Sequence, residues 1–192
     1  MAISEQEPHR ELEVKLIARI AKGDDAAFVE LYKRFAGSLY AMAQRMLEDT
    51  KEAEDALQEG FTYIWRKAAT YDPARSSPFA WAVMITRNKA IDRLRARERI
   101  EKLREKFTEQ GADFSQQDLG SANEPALRER ASIVRSAVLQ LPEEQRQALE
   151  LSFFGGLTHG QISERLGVPL GTIKARIRRG LLRLRESLGE GP

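Results

Sequence analysis

Apolar residues recur at steps of three and four along most of this 192-residue chain, which is the spacing of one face of an α-helix. The pattern is clearest over residues 53–68, where the polar side chains of the same stretch fall on another face. The same spacing predicts helices at about 11–22 and 25–47, with Gly23 and Asp24 marking the break between them. No stretch alternates apolar and polar residues as a strand does, so the predicted fold class is all-α.

The segment from 158 to 188 has the pattern of two short helices around a tight turn. Thr158 and Gln161 have the spacing of a capping box, which begins a helix, and Gly167 suits the left-handed conformation that ends one. A second helix begins at about Leu170. Two helices joined by such a turn are typical of the helix-turn-helix, whose second helix enters the major groove of DNA. The apolar stripe predicted for this second helix consists of Ile173, Ile177, Leu181, Leu184 and Leu188.

A polar, glycine-containing stretch separates two helical regions. Residues 108–124 show no sustained apolar period, so we predict a flexible linker there. The chain then divides into a domain at 10–107 and a second domain at 125–189. Two small helical domains joined by a flexible linker are therefore the predicted architecture.

Charge is nearly balanced over the chain, with a formal net charge of +2, but it is unevenly distributed. Residues 48–59 hold six acidic side chains and one lysine. Residues 87–99 and 170–188 each hold six basic side chains, against two and one acidic ones. Basic segments of this density can neutralise phosphates, whereas the acidic segment suits a basic protein partner.

Composition argues against several kinds of site. The chain has no cysteine, which excludes disulfides and thiolate metal sites, and its two histidines form no cluster. We therefore expect no cofactor, no metal site and no enzymatic activity. The N-terminal twenty residues are acidic where a signal peptide needs a basic start, and no stretch approaches the roughly 18–20 apolar residues of a membrane span. We expect a cytoplasmic protein without membrane insertion.

Three stretches together resemble one known family. The C-terminal stretch LPEEQRQALELSFFGGLTHGQISERLGVPLGTIKARIRRGLLRLRESL resembles the C-terminal domain of bacterial RNA polymerase sigma factors. The stretches DALQEGFTYIWRKA and PFAWAVMITRNKAIDRLRARER resemble the segments of their N-terminal domain that bind core polymerase and melt the promoter. The order of these stretches is that of the small extracytoplasmic-function type, which contains only the second and fourth sigma domains.

The resemblance implies contacts in the first domain with polymerase and with promoter DNA. In the family, the helix at 53–68 docks on the coiled coil of the polymerase β′ subunit, which implies contacts at Asp55, Gln58 and Glu59. The loop that follows accepts a −10 base flipped from the non-template strand, and the next helix helps to recognise that region. The implied −10 and melting residues are Tyr71, Arg75, Ser76, Ser77 and Asn88, and the implied DNA-backbone contacts are Arg87, Lys89 and Arg93.

The second domain in this family packs on the β flap of polymerase and reads the −35 element. The implied −35 contacts are Thr172, Lys174, Ala175, Arg178 and Arg179, which also lie off the predicted apolar stripe. An arginine fork among them could read guanine O6 and N7. The function implied is that of a sigma factor that binds core polymerase, recognises −35 and −10 elements, assists DNA melting and is controlled by an anti-sigma factor.

Ordinary structural roles are open for several of these residues. Asn88 falls three residues from both Ile85 and Ile91 and could be a polar group at the margin of the core. Phe79 and Trp81 are interpreted as core side chains rather than as stacking surfaces for bases. The acidic and basic helix faces could each be an ordinary solvated surface.

Two other classes of function are open on the residues alone. An autonomous helix-turn-helix regulator would explain the C-terminal segment but would leave the acidic helix without a role. A carboxylate-based enzyme could be built from Glu52, Asp55 and Glu59, although no Glu-x-x-His pair accompanies them.

Overall fold

The computed structural model describes residues 6–105 and 125–188. Within these two ranges the regular elements are all helices, so the all-α prediction is confirmed. The first range contains α1 (Gln6–Ile20), α2 (Asp25–Leu47), α3 (Thr50–Lys67) and α4 (Pro78–Glu105), with a 3₁₀ turn at Ala68–Thr70. The second range contains α5 (Pro125–Leu139), α6 (Glu143–Phe153), α7 (His159–Leu166) and α8 (Leu170–Ser187).

The chain divides into two compact units, Met1–Ala122 and Asn123–Pro192. Helices α1 to α4 belong to the first unit, and α5 to α8 belong to the second. The predicted linker at 108–124 lies outside the described residues, as do positions 107 and 189. The exact domain limits therefore stay a prediction.

Local side-chain chemistry sets the helix boundaries of the first unit. Asp24 caps α2, because its Oδ1 accepts a hydrogen bond from the amide of Ala27 at 3.0 Å. Gly23 before it has φ of 85°, a left-handed conformation that suits glycine. Asp49 caps α3 in the same way, accepting from the amide of Glu52 at 2.9 Å. The break predicted at Gly23 and Asp24 is thus the one observed.

The core of the first unit is formed where α1, α2, α3 and α4 meet. Phe35 of α2 and Ile64 of α3 are at most 1% exposed, and each joins the same buried cluster. Phe79 and Trp81 pack against that cluster as predicted, with the Phe79 ring set edge-on at 5.2 Å from Phe35. Burial of such side chains supplies the main free energy that holds the helices together.

Helices α3 and α4 approach each other closely at a glycine. Gly60 of α3 is buried against Thr86 of α4, and a Cβ at position 60 would lie 2.7 Å from Thr86 Oγ1. That distance is shorter than a van der Waals contact, so a side chain at position 60 would force Thr86 or the helices to shift.

The second unit packs α6, α7 and α8 around a small core. Ala148, Ile162 and Ile173 have no exposed surface, and Ile177 is 8% exposed, so the inward positions predicted for Ile173 and Ile177 of α8 are observed. The predicted place of Leu181 in the apolar stripe is wrong, because that side chain is 54% exposed. Gly180 takes the buried position instead, since each step of four residues overshoots a full helical turn by about 40°.

Replacing Gly60 with alanine should destabilise the first unit, because the new methyl group would lie 2.7 Å from Thr86 Oγ1. Overpacking costs about 1–3 kcal/mol, whereas alanine gains about 1 kcal/mol over glycine inside a helix, so a net loss is expected. Trp65 and Trp81, the two tryptophans of the chain, both lie in this unit, and their fluorescence during urea unfolding reports on it.

The paired variant Gly60→Ala with Thr86→Ala is the control, since it removes the hydroxyl that the new methyl group would meet. It should recover much of the lost unfolding free energy. A Gly60→Ala variant as stable as the wild type would show that the two helices do not approach as closely as described.

Candidate nucleic-acid and protein interfaces

Local contacts fix the turn between α7 and α8. The amide of Gln161 donates to Thr158 Oγ1 at 3.3 Å, and the amide of Thr158 donates to Gln161 Oε1 at 2.8 Å, which is the predicted capping box. Gly167 ends α7 with φ of 63°, as predicted. Ser163 Oγ then donates to the carbonyl of Val168 at 2.6 Å and ties the turn back to α7. The start of α8 is therefore held against the preceding helix.

Two of the six basic residues of α8 contact the neighbouring helix α6. Arg176 Nη2 lies 2.9 Å from Glu144 Oε2 of α6, and Arg183 Nη1 donates to Gln145 Oε1 of α6 at 3.2 Å. These two arginines face the neighbouring helix. The predicted −35 residues lie elsewhere on α8: Ala175 is half-buried, and the exposed members are Thr172, Lys174, Arg178 and Arg179.

The acidic side of α3 is in contact with cations of the same chain. Arg93 Nη1 of α4 lies 2.5 Å from Glu52 Oε2 and 3.4 Å from Asp55 Oδ2, and its Nη2 lies 2.6 Å from Glu59 Oε1. Lys89 Nζ of α4 lies 3.4 Å from Glu59 Oε2. We call these five residues the ion-pair cluster. The acidic surface predicted from the sequence is present, but part of it is neutralised internally.

The electrostatics of the ion-pair cluster favour the charged forms of Glu59 and Arg93. Burial raises the pKa of Glu59, but hydrogen bonds and charge from Arg93 and Lys89 outweigh it and hold that pKa below its usual value. Burial lowers the pKa of Arg93, whereas hydrogen bonds to Glu52 and Glu59 raise it, and the net direction is upward. The Glu59 carboxylate and the Arg93 guanidinium therefore remain ionised at neutral pH.

Two predicted contact sets share the ion-pair cluster. Asp55 and Glu59 were assigned to core polymerase, and Lys89 and Arg93 to the DNA backbone, yet the structure pairs these side chains with one another. Gln58, the third residue of the polymerase set, is exposed. These assignments stay predictions, and a partner that uses them has to share the groups with the internal pairs.

The remaining backbone residue and Asn88 occupy different environments. Arg87 is half-buried, and burial together with the charge of Arg95 lowers its pKa. Asn88 is exposed although Ile85 and Ile91 are buried. The structure therefore does not place Asn88 at the margin of the core, and its side chain is accessible to a ligand.

The loop at residues 71–77 is folded against the start of α4. Tyr71 Oη donates to the carbonyl of Ser76 at 2.8 Å, and the Tyr71 ring centre lies 5.2 Å from that of Trp81. Ser77 Oγ accepts from the amide of Ala80 at 3.2 Å and so caps the first turn of α4. Arg75 is exposed and Ser76 is half-buried. The structure thus brings the predicted loop residues together, with Tyr71 and Ser77 also serving structural roles.

The part of the chain that the structure describes contains neither a candidate metal site nor a candidate membrane-spanning helix. Over residues 6–105 and 125–188, no group of three or more His, Cys, Asp or Glu side chains is arranged to hold a metal ion. Nor does any helix in these ranges combine the length and apolar character that a bilayer crossing requires.

Replacing Arg93 with alanine should lower the free energy of unfolding of the first unit by about 1–2 kcal/mol. Exposed ion pairs contribute up to about 1 kcal/mol each, and loss of the guanidinium also leaves three neighbouring carboxylates without a shared cation. Arg95→Ala is the matched control, because Arg95 is exposed on the same helix. Its unfolding free energy, followed by tryptophan fluorescence, should stay close to that of the wild type.

The effect of Arg93→Ala should depend on pH. The folded-state pKa of Glu59 is lowered, so the stability it contributes is present above its unfolded-state pKa of about 4.3 and is lost as the pH falls through the folded-state value. The difference between the wild type and Arg93→Ala should therefore be complete at pH 7 and shrink below about pH 4. If the unfolding free energies of the wild type and Arg93→Ala differ by the same amount at pH 7 and below about pH 4, the ion pair between Arg93 and Glu59 does not contribute to stability.

Comparison with known proteins identifies both units. The family model of Sigma-70 region 2 matches residues 31–100, and that of Sigma-70 region 4 matches residues 131–184. The ECF RNA polymerase sigma factor SigK of Mycobacterium sp. (strain KMS) is 34% identical over 174 residues, which cover 91% of this chain and 89% of that protein. SigK of Mycobacterium tuberculosis (strain ATCC 25177 / H37Ra) is 33% identical over 176 residues, covering 90% of this chain and 91% of that protein.

Similarity also extends to a solved structure, that of Rhodobacter sphaeroides SigE in complex with the anti-sigma ChrR. It is 33% identical, covers 92% of this chain and 98% of that chain, and has a TM-score of 0.48. The two family models match in the order region 2 then region 4, and the SigK proteins cover nine-tenths of the chain. The chain therefore belongs to the sigma-70 family, as an extracytoplasmic-function RNA polymerase sigma factor.

Proposed function

We propose that this sigma factor binds core polymerase through α3, reads the −35 element with α8 and captures a −10 base at the loop of residues 71–77. The division of the basic residues of α8 carries the proposal. Arg176 and Arg183 contact α6, whereas Lys174, Arg178 and Arg179 are exposed and can reach DNA from a helix that follows a helix-turn-helix turn.

The side chains of α8 suit major-groove contacts. An arginine can donate two hydrogen bonds to guanine O6 and N7, and lysine can contact the same atoms or a phosphate. Arg178 and Arg179 are therefore the proposed base or phosphate contacts, together with Lys174. Thr172 and Ala175 can meet base edges or thymine methyl groups on the same side of the helix.

The loop at 71–77 suits an unpaired base. Extruding a base from the duplex costs a few kcal/mol, which stacking and hydrogen bonding in a protein site can offset. Arg75 and Ser76 offer donors at the loop, and Tyr71 with Ser77 holds its shape. The exposed Asn88 is proposed to act in recognition of the same promoter region.

Three basic residues of α4 are proposed to contact the phosphates of the DNA backbone. They are Arg87, Lys89 and Arg93. Lys89 and Arg93 also belong to the ion-pair cluster, so phosphate would compete for them with the carboxylates of α3.

The exposed part of α3 suits a cationic protein surface. The side chains of Asp55 and Glu59 are 43% and 47% exposed despite their contacts with Arg93, and Gln58 lies exposed between them in sequence. We propose that these three residues meet the β′ coiled coil of core polymerase. The second unit is proposed to pack on the β flap, as the family does.

Membership of this group also supports control by an anti-sigma factor. We propose that such a partner covers α3 and α8, and therefore competes with core polymerase. Stable simultaneous binding of both proteins to the chain would contradict this part of the proposal. Because core polymerase works in the cytoplasm, that is the proposed location, and because sigma factors are non-enzymatic initiation factors, no catalytic activity is proposed.

Neutralising the proposed docking residues should weaken the complex with core polymerase. Reversal of both charges would place two lysines beside Arg93, so the double variant Asp55→Asn with Glu59→Gln disturbs the fold less. Loss of interfacial charge pairs of this kind should reduce affinity by about ten- to a hundredfold. Affinity can be measured by titration of labelled sigma factor with core polymerase.

The matched control neutralises two exposed carboxylates nearby, Glu48→Gln with Glu54→Gln. It changes the net charge by the same amount and should bind almost as tightly as the wild type. Equal affinities for the two double variants would remove the assignment of Asp55 and Glu59.

Substitutions on the two proposed DNA-contacting surfaces should impair different steps of initiation. Arg179→Ala should weaken binding of the holoenzyme to duplex promoter by roughly 1–3 kcal/mol if a base contact is lost, with Arg176→Ala as the weaker control because Arg176 faces α6. Asn88→Ala should leave duplex binding nearly unchanged but lower open-complex formation. A template melted in advance at −10 should restore part of its activity.

Gel-shift binding and permanganate footprinting separate these steps for each variant. Circular dichroism should show native helicity for Asn88→Ala, because the side chain is exposed. If Asn88→Ala weakens duplex binding as strongly as Arg179→Ala does, the assignment of Asn88 to the melting step is wrong.

A further inference from the structure

The loop at residues 71–77 is held from two directions. Within the loop, Tyr71 Oη donates to the carbonyl of Ser76, and the amide of Ala74 donates to Asp72 Oδ1 at 2.9 Å. From outside it, Arg10 Nη2 of α1 donates to the carbonyl of Pro73 at 3.2 Å. This contact joins residues 63 positions apart in the sequence, so it ties the outer edge of the loop to a separate helix.

Helix α1 is a firm support for that contact. Leu16, Ile17 and Ile20 are at most 2% exposed and belong to the core of the first unit. Their packing fixes the path of α1, and Arg10 lies less than about two turns before Leu16 on the same helix. The backbone from which the guanidinium extends is therefore anchored by buried side chains.

The charges of α1 also act on the loop. Burial raises the pKa of Tyr71, the positive charge of Arg10 lowers it, and the negative charges of Glu13 and Asp72 raise it, with a net upward direction. Arg10 and Glu13 thus lie near enough to the phenol to influence it. The neutral phenol, which is the form that donates to Ser76, is favoured.

Helix α1 lies outside the part of the chain that matches the family model. The match to Sigma-70 region 2 begins at residue 31, after α1 has ended, whereas the loop at 71–77 lies within it. The conformation of a loop inside the family region therefore depends in part on a helix that precedes that region.

We propose that α1 positions the −10 loop through Arg10, whose guanidinium holds the Pro73 carbonyl and keeps Arg75 and Ser76 placed to meet a flipped base. The inference rests on the function proposed for the loop. Arg10 is a positioning residue, since it acts through Pro73. Without the guanidinium, the base-contacting residues of the loop are still present, but the loop is free to move before a base arrives.

Hydrogen–deuterium exchange of the full chain tests the contact. In Arg10→Ala, the amides of Ala74 and Arg75, which donate to Asp72 within the loop, should exchange about two- to tenfold faster, which is the range for loss of one net hydrogen bond. Lys15→Ala removes the same charge from an exposed position on α1 and should leave this exchange unchanged. Arg10→Lys keeps a donor and should restore part of the protection. Unchanged loop exchange in Arg10→Ala would overturn the proposal.

Open-complex formation with core polymerase tests the consequence. Arg10→Ala should slow it by a similar factor on duplex promoter, with duplex binding unchanged and with recovery on a template melted in advance at −10. The loop variant Arg75→Ala with Ser76→Ala tests the role of the loop in melting separately from its positioning by Arg10. If the loop variant slows melting and Arg10→Ala does not, positioning by α1 is wrong while the loop function stands. If neither slows melting, the loop function itself is wrong.

Discussion

The close contact of α3 with α4 at Gly60 and Thr86 is the constraint on which the surfaces of the first unit depend. Because a Cβ at position 60 would lie 2.7 Å from Thr86 Oγ1, any larger residue there would force the Thr86 side chain or the two helices to shift. Arg93, about two turns beyond Thr86 along α4, is thereby brought against the carboxylates of α3. The same contact fixes the orientation of α4. It thereby also fixes the position of the loop that leads into α4 at Pro78.

In the second unit, a glycine brings the basic helix α8 close to α6. A Cβ at Gly180 of α8 would lie 2.7 Å from Leu149 Cδ1 of α6, so these helices also pack closely. Arg176 and Arg183 contact α6 near this glycine, whereas Lys174, Arg178 and Arg179 are exposed. Packing against α6 therefore engages two of the six basic residues of α8, although all six carry the same charge.

Features that depend on a few neighbouring residues could be predicted from the sequence, and features that depend on distant partners could not. The helix ends at Asp24, Thr158 and Gly167 follow from local capping and turn chemistry, and they were predicted correctly. The exposure of Leu181 was not predicted, because successive steps of four residues rotate gradually around the helix and away from its buried face. The pairing of Arg93 with Glu52 and Glu59 was missed because these residues lie 41 and 34 positions away, and charge patterning along the chain shows no such contact.

Promoter-specific initiation by core polymerase is tested most directly by run-off transcription across a library of genomic promoter fragments. Core polymerase with the purified chain should produce discrete transcripts from a subset of fragments that share −35 and −10 sequences, and core polymerase alone should not. If the chain adds no discrete transcript but binds specific duplex sites without polymerase, the sigma-factor account is contradicted and the chain acts as an autonomous DNA-binding regulator.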